Sequence, residues 1–175
     1  TTFQKIDPSI VLNWQYQDGD RVAAGEILCR LKGPAQALLT GERIALNFLQ
    51  TLSAVATKTR VYVDAISHTK ATILDTRKTL PGLRRALKYA VLTGGGKNHR
   101  IGLYDGVLIK ENHIAASNGI TAALAATRHI DKSIPIQVEV ESLQQLKEAL
   151  DSNANSILLD NFTVSEMKEA VALTN

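Results

Sequence analysis

The chain has 175 residues, 45% of them apolar, and a formal net charge of +3 from 20 Lys and Arg against 17 Asp and Glu. That is enough apolar mass for one domain, or one and a fraction, and too little net charge for a nucleic-acid protein unless the positive residues are gathered locally. Cys29 is the sole cysteine, which excludes an internal disulfide, and no apolar run approaches the roughly 20 residues of a membrane-spanning helix.

Thr1 to Ser9 lacks the charged-then-apolar pattern of a signal peptide, so the expected setting is soluble and cytoplasmic. The chain opens in TTFQKI and closes in AVALTN on a helical pattern, which reads as truncation at both ends. From Ile10 to Leu31 short strands alternate with turns, a tight one at Asp18-Gly19 and a second at Gly25. Gly19 to Glu26, GDRVAAGE, resembles the hairpin of biotinyl or lipoyl carrier domains, but no lysine stands at the tight turn where those domains are modified.

A long helix follows. Thr40 is its expected cap, Glu42 suits its positive end, and Leu39 can staple onto Ile44. Ile44, Ala45, Phe48, Leu49, Leu52, Val55 and Ala56 recur at helical spacing and predict one buried stripe. Arg43 then falls in the first turn, against the helix dipole, as either a tolerated surface charge or a residue placed for a ligand.

From Ala71 the rhythm becomes strand, loop, helix. The strands predicted are Thr72–Asp75, Val107–Lys110, Ile136–Glu141 and Ser156–Asp160. Pro81 is expected to open the first helix, with Leu83, Leu87, Ala90 and Val91 buried and Gly94-Gly95-Gly96 closing it as a flexible terminus. Ser142 with Gln145, and Thr163 with Glu166, are capping boxes before the last two helices. Repeated βα units imply a parallel sheet, open or closed into a barrel, with its chemistry at the carboxyl ends of the strands.

The residues leaving those strands are therefore the candidates. Arg77 and Lys78 follow the first, and His99 and Arg100 follow the triple Gly. Guanidinium groups grip carboxylates in a bidentate fork, each charge-assisted bond contributing about 1.5–3 kcal/mol when shielded from water, so two forks can hold a dicarboxylate. Lys110 ends an apolar strand, where an ammonium suits a phosphate. Glu139, flanked by Val138 and Val140, lies either in a polar barrel mouth or on the solvated face of an edge strand. With Asp160 it suits sugar hydroxyls or a hydrated Mg²⁺.

LTGERIALNFLQTLSAVAT (Leu39 to Thr57), LDTRKTLPGLR (Leu74 to Arg84), GGGKNHRIGLYDGVLIKENHI (Gly94 to Ile114), VEVES (Val138 to Ser142) and LLDNF (Leu158 to Phe162) together resemble the quinolinate phosphoribosyltransferase family. The resemblance spans nearly the whole chain in five ordered motifs. It implies an α/β protein with a smaller N-terminal α/β sandwich domain, residues 1–66 including the long helix, and an incomplete parallel α/β (TIM-like) barrel. Residues 67–175 would supply that barrel's first four βα units.

The family's activity, as the resemblance implies it, is phosphoribosyl transfer from phosphoribosyl pyrophosphate to the ring nitrogen of quinolinate. The transfer is accompanied by decarboxylation, giving nicotinate mononucleotide, pyrophosphate and carbon dioxide for NAD biosynthesis. Arg77, His99 and Arg100 would bind the quinolinate carboxylates, with Arg43 donated by the neighbouring subunit of a homodimer. Lys78 and Lys110 would sit between the two substrates, and Glu139 and Asp160 would hold ribose hydroxyls and hydrated Mg²⁺. No organic cofactor, nucleic acid or membrane is implied. The competing readings are a non-catalytic anion-binding remnant of this family and a non-decarboxylating phosphoribosyltransferase.

Ala54 stands where the family usually has Gly, and the sequence stops at Asn175, before the family's Gly-rich phosphate loops. On that reading these 175 residues alone are expected to be inactive and poorly soluble. Turnover of quinolinate at a family-like rate by the purified 175-residue polypeptide would refute this.

Overall fold

The computed structural model describes residues 1–127 and 129–174. They divide into two compact units, one covering Thr1–His99 and the other beginning at Arg100. The 66/67 division that the family resemblance implies falls inside the first of them.

In the first unit α1 (Thr2–Ile6) is closed by a capping box between Thr1 and Gln4 and packs on α2 (Ala35–Ala65). Between them, β1 (Val11–Trp14) and β2 (Cys29–Lys32) form an antiparallel hairpin in which Trp14 faces Cys29. The connecting turns use Gly19 and Gly25 at positive φ, as their sequence context predicts. Tyr89 Oη donates to Asp18 Oδ2 (2.6 Å) and Arg21 pairs with Asp64 (2.6 Å), tying this loop to the helices around it.

Helix α2 begins five residues before Thr40, at Ala35 behind Pro34. Thr40 is not a cap; its hydroxyl turns back to the Gln36 carbonyl (2.7 Å), as a threonine inside a helix does. The Leu39–Ile44 staple fails with it, Leu39 being 71% exposed within the helix. Arg43 consequently lies in the third turn rather than the first, and its supposed conflict with the helix dipole disappears. The expected buried stripe is also incomplete: Ile44 and Phe48 are about half exposed.

The first predicted strand shrinks to a single parallel bridge, Leu74 to Lys97. Helix α3 (Arg84–Thr93) starts three residues after Pro81, because Gly82 takes a left-handed φ of 76° that no helix can include. It packs on α2. Gly94 and Gly96 are buried, so the triple Gly is a close-packing device rather than a flexible terminus. A Cβ at Gly94 would lie 2.5 Å from the Ala56 carbonyl oxygen and 2.7 Å from Thr59 Cβ, while Gly95 turns the chain at φ 91°.

The second unit holds a three-stranded parallel sheet, ordered β3 (Val107–Ile109), β4 (Ile136–Val140) and β5 (Ile157–Leu159). Helices α4 (Glu111–Ala116) and α5 (Ile120–Ala125) follow β3, α6 (Leu143–Asp151) follows β4, and α7 (Val164–Thr174) follows β5. Val138 and Val140 are fully buried with Ile109, Ile120, Leu146 and Ala149 in one core, each large aliphatic contributing about 1.5–3 kcal/mol.

Thr163 and Glu166 form the expected reciprocal box, the carboxylate accepting from Thr163 N (2.7 Å) and the hydroxyl from Glu166 N (3.3 Å). That carboxyl is held below its ordinary pKa chiefly by the Thr163 hydroxyl. Ser142 caps α6 as predicted, but the Gln145 side chain accepts from Glu141 N (2.7 Å) instead of Ser142 N. Helix α5 has no side-chain cap of its own; Glu148 of α6 accepts from Ile120 N (2.9 Å) and Thr121 N (3.2 Å).

Gly94→Ala forces a methyl against backbone and is expected to cost about 1–3 kcal/mol of stability, read as a lowered urea midpoint.

Candidate active site

The second unit sets out its chemistry by strand register. Ile109 pairs with Val138 and Val138 with Ile157, so Lys110 comes level with Glu139, and Glu139 with Leu158. Side chains alternate faces along a strand. With Val138 and Val140 turned into the helix-covered core, Gln137 and Glu139 take the opposite face, as do Lys110, Leu158 and Asp160 on the neighbouring strands.

There Lys110 Nζ donates to Glu139 Oε1 at 3.1 Å. The Glu139 side chain is only 9% exposed and the Lys110 side chain 42%, a carboxylate withdrawn from water and met by an ammonium that still reaches it. Strand β4 lies in the middle of its sheet, which disposes of the edge-strand alternative for Glu139. Asp160 begins the chain's exit from the sheet, its N–H donating to the Val140 carbonyl (2.9 Å), and Asn161 follows at φ 58°. Lys110 is also the N-cap residue of α4, and its amide donates to His113 Nδ1 (3.0 Å).

In the first unit Arg77 and Lys78 leave the extended segment at Asp75. Arg77 Nε is buried and meets no hydrogen-bond partner among the described residues. A guanidinium N–H shut away without an acceptor is costly, and an anionic ligand would satisfy it. Lys78 lines a cavity of about 190 Å³ together with Asp75, Thr76, Thr79 and Lys88.

His99 is held by its backbone: its N–H donates to Asp75 Oδ1 (2.8 Å) and its carbonyl accepts from Lys88 Nζ (2.9 Å). Asp75 and Lys88 are themselves paired at 2.6 Å with side chains 8% and 3% exposed. Loss of either half of such a buried pair costs about 3–5 kcal/mol, because the remaining charge is stranded. Asp75 is a strand-end residue in the sequence reading; Lys88 is missed altogether. A lysine inside the apolar periodicity of α3 was the available signal.

Arg100 opens the second unit, where its Nη1 donates to the Gly106 carbonyl (3.1 Å). Asp105 closes the intervening loop by accepting from Ile101 N and Gly102 N, both at 2.8 Å. Arg43 is exposed on α2. Among the described residues no group of three or more His, Cys, Asp or Glu side chains is gathered for a metal ion.

The quinolinate phosphoribosyl transferase N-terminal domain model matches residues 2–53, and the C-terminal domain model matches residues 55–175. The chain belongs to the quinolinate phosphoribosyl transferase family. Its similarity to a Bacillus subtilis protein described as a probable nicotinate-nucleotide pyrophosphorylase (carboxylating) is 44% identity over 173 residues, 98% of this chain and 60% of the relative. With the Mycobacterium leprae nicotinate-nucleotide pyrophosphorylase (carboxylating) it shares 48% over 158 residues, 90% of this chain and 56% of the relative.

Among solved structures, the nicotinate-nucleotide pyrophosphorylase from Francisella tularensis superposes with a TM-score of 0.95 at 44% identity, covering 98% of this chain and 61% of that one. The chain thus spans about 60% of the length of these quinolinate phosphoribosyl transferase relatives. The α/β fold is shared with them. No helix among the described residues is long and apolar enough to cross a membrane.

Proposed function

We propose that the protein of which this chain forms part transfers the phosphoribosyl group of phosphoribosyl pyrophosphate to the ring nitrogen of quinolinate and releases carbon dioxide, yielding nicotinate mononucleotide and pyrophosphate. The observation that carries this reading is the buried Arg77 Nε beside Lys78, without a hydrogen-bond partner among the described residues. It supplies the missing donor of an anion site in a family defined by a dicarboxylate substrate. On the same reading the β3-β4-β5 sheet belongs to an incomplete α/β barrel, and the hairpin with α1 and α2 to an α/β sandwich.

Arg77, His99 and Arg100 would bind the two quinolinate carboxylates, with Lys78 and Lys110 placed between dicarboxylate and phosphates. As the bond from the anomeric carbon to pyrophosphate breaks, the sugar becomes oxocarbenium-like. Carboxylates facing the ring and cations facing the leaving group both stabilise that charge distribution. The ring nitrogen's lone pair then forms the new bond, and the nitrogen becomes cationic. When the adjacent carboxylate leaves as carbon dioxide, the electron pair stays on the ring carbon beside that cation, and a proton from water replaces it. No organic cofactor is called for.

Glu139 Oε1 is engaged by Lys110, and no group of three metal-binding side chains surrounds it among the described residues. Two carboxylates with water fit Mg²⁺ carried in by substrate phosphates, and do not fit a closed protein cage. Glu139 and Asp160 would hold that ion through water, and its contribution is to neutralise pyrophosphate charge. Lys110 keeps Glu139 aimed through their hydrogen bond, while Glu139 and Asp160 accept from the ribose hydroxyls.

The half-exposed Ile44 and Phe48, which follow Arg43 on α2, support a homodimer in which this part of the helix meets a second copy and Arg43 reaches the neighbour's substrate.

Titration of quinolinate into the intact protein is expected to give binding that Arg77→Ala or Arg100→Ala weakens by about 1.5–3 kcal/mol, on the order of tenfold to a hundredfold. Phthalate should compete and benzoate should not; equal competition would count against a dicarboxylate site. Donation of Arg43 is checked by mixing two inactive variants, Arg43→Ala and Glu139→Gln, under conditions that exchange subunits. Mixed dimers retain one intact site, so roughly a quarter of the wild-type activity should return by random assortment.

A further inference from the structure

Three groups converge on one carboxylate at the end of the extended segment Ile73 to Asp75. Asp75 Oδ1 accepts from Lys88 Nζ (2.6 Å) and from His99 N–H (2.8 Å). With the Asn98 amide in the orientation that satisfies its neighbours, its nitrogen donates to Asp75 Oδ2 (2.7 Å) and to the Lys88 carbonyl (3.0 Å). Lys88 Nζ completes the ring by donating to the His99 carbonyl (2.9 Å). The two ions of one pair therefore grip the two polar groups of a single residue's backbone.

This arrangement continues a zipper that the backbone begins. Lys97 N donates to the Ile73 carbonyl (2.8 Å) and Asp75 N to the Lys97 carbonyl (3.1 Å); there the backbone bridge ends, and the Asp75 side chain takes over its next rung. Packing alone does not explain the choice. An apolar pair of similar volume often stabilises a core as well as a buried ion pair or better, so an ion pair kept here serves something that apolar packing cannot: a fixed hydrogen-bond geometry.

We propose that Asp75 and Lys88 are positioning residues that lock the Asn98–His99 turn against the Thr76–Lys78 turn, fixing the spacing between two basic segments that grip opposite ends of one dicarboxylate. The dicarboxylate is the quinolinate of the proposed function, and the inference rests on that reading. Asp75 and Lys88 act through His99 by holding both polar groups of its backbone. Lys88 contributes two donors to this lock and is shielded from solvent while doing so.

The test uses the intact protein and three variants, Lys88→Gln, Asp75→Asn and the double Asp75→Asn/Lys88→Gln, which keeps neutral donors and acceptors where the charged ones stood. Amide hydrogen exchange of His99 and titration with quinolinate are measured on each, with phosphoribosyl pyrophosphate as the second ligand. In the single variants His99 should lose protection selectively, and quinolinate affinity should fall on the order of 100-fold, while affinity for phosphoribosyl pyrophosphate is unchanged. In the double variant both should recover together; it carries the test should a single variant fail to fold.

Unaltered His99 protection in a folded variant overturns the lock, as does quinolinate affinity that fails to track that protection. Loss of protection spread over the whole first unit overturns it too, by revealing a general structural role. Wild-type protein that binds no quinolinate, with selective loss of His99 protection in the variants, overturns the proposed substrate and leaves the lock standing.

Discussion

A charge taken out of water must be met at hydrogen-bond distance, and the first unit is organised around one place where this happens. The carboxylate of Asp75 and the ammonium of Lys88 are almost wholly shielded, and neither is tolerable there without the other. Their contact draws together three consecutive stretches of the chain, the segment ending at Asp75, α3 and the Asn98–His99 segment that follows it. The close packing that allows it comes from glycine: with Gly94 and Gly96 pressed onto α2 and the Ile73–Asp75 segment, the chain leaving α3 runs near enough to be caught.

The second unit solves a related problem by different means. Parallel strands covered by helices are apolar on the covered face, and β4 obeys this with Val138 and Val140 while turning Glu139 to the other side. A single residue of register difference would reverse every one of these side chains, so the apolar core that holds α6 against the sheet also determines where the carboxylate points. Lys110 reaches it from the neighbouring strand end, leaving a nearly neutral pair on which substrate charge can act.

Much of this was legible in the sequence, and the failures have physical causes. Alternation of valine and glutamate placed Glu139 correctly, and the Thr163–Glu166 pattern marked the start of α7, because both signals are local and nothing distant competes with them. The start of α2 was misjudged because Thr40-Gly41-Glu42 has the look of a helix boundary. Gly41 is there for another reason: a Cβ would strike Phe3 and Ile6, so the glycine admits α1. The strand at Thr72–Asp75 was overestimated since its partner, Lys97, belongs to no apolar run. Lys88 left only a weak trace, a lysine amid the apolar periodicity of α3, because a lysine on a helix is ordinarily solvated and only the fold brings a carboxylate to it.

The hairpin carries the only tryptophan in the sequence, Trp14, at the end of β1 opposite Cys29. Indole emission therefore reports on the unit that ends at His99, whereas the parallel sheet and its Glu139 are optically silent at those wavelengths. A melt followed by fluorescence and one followed by far-ultraviolet circular dichroism need not coincide in this molecule. Any divergence between the two curves would measure how independently the halves come apart.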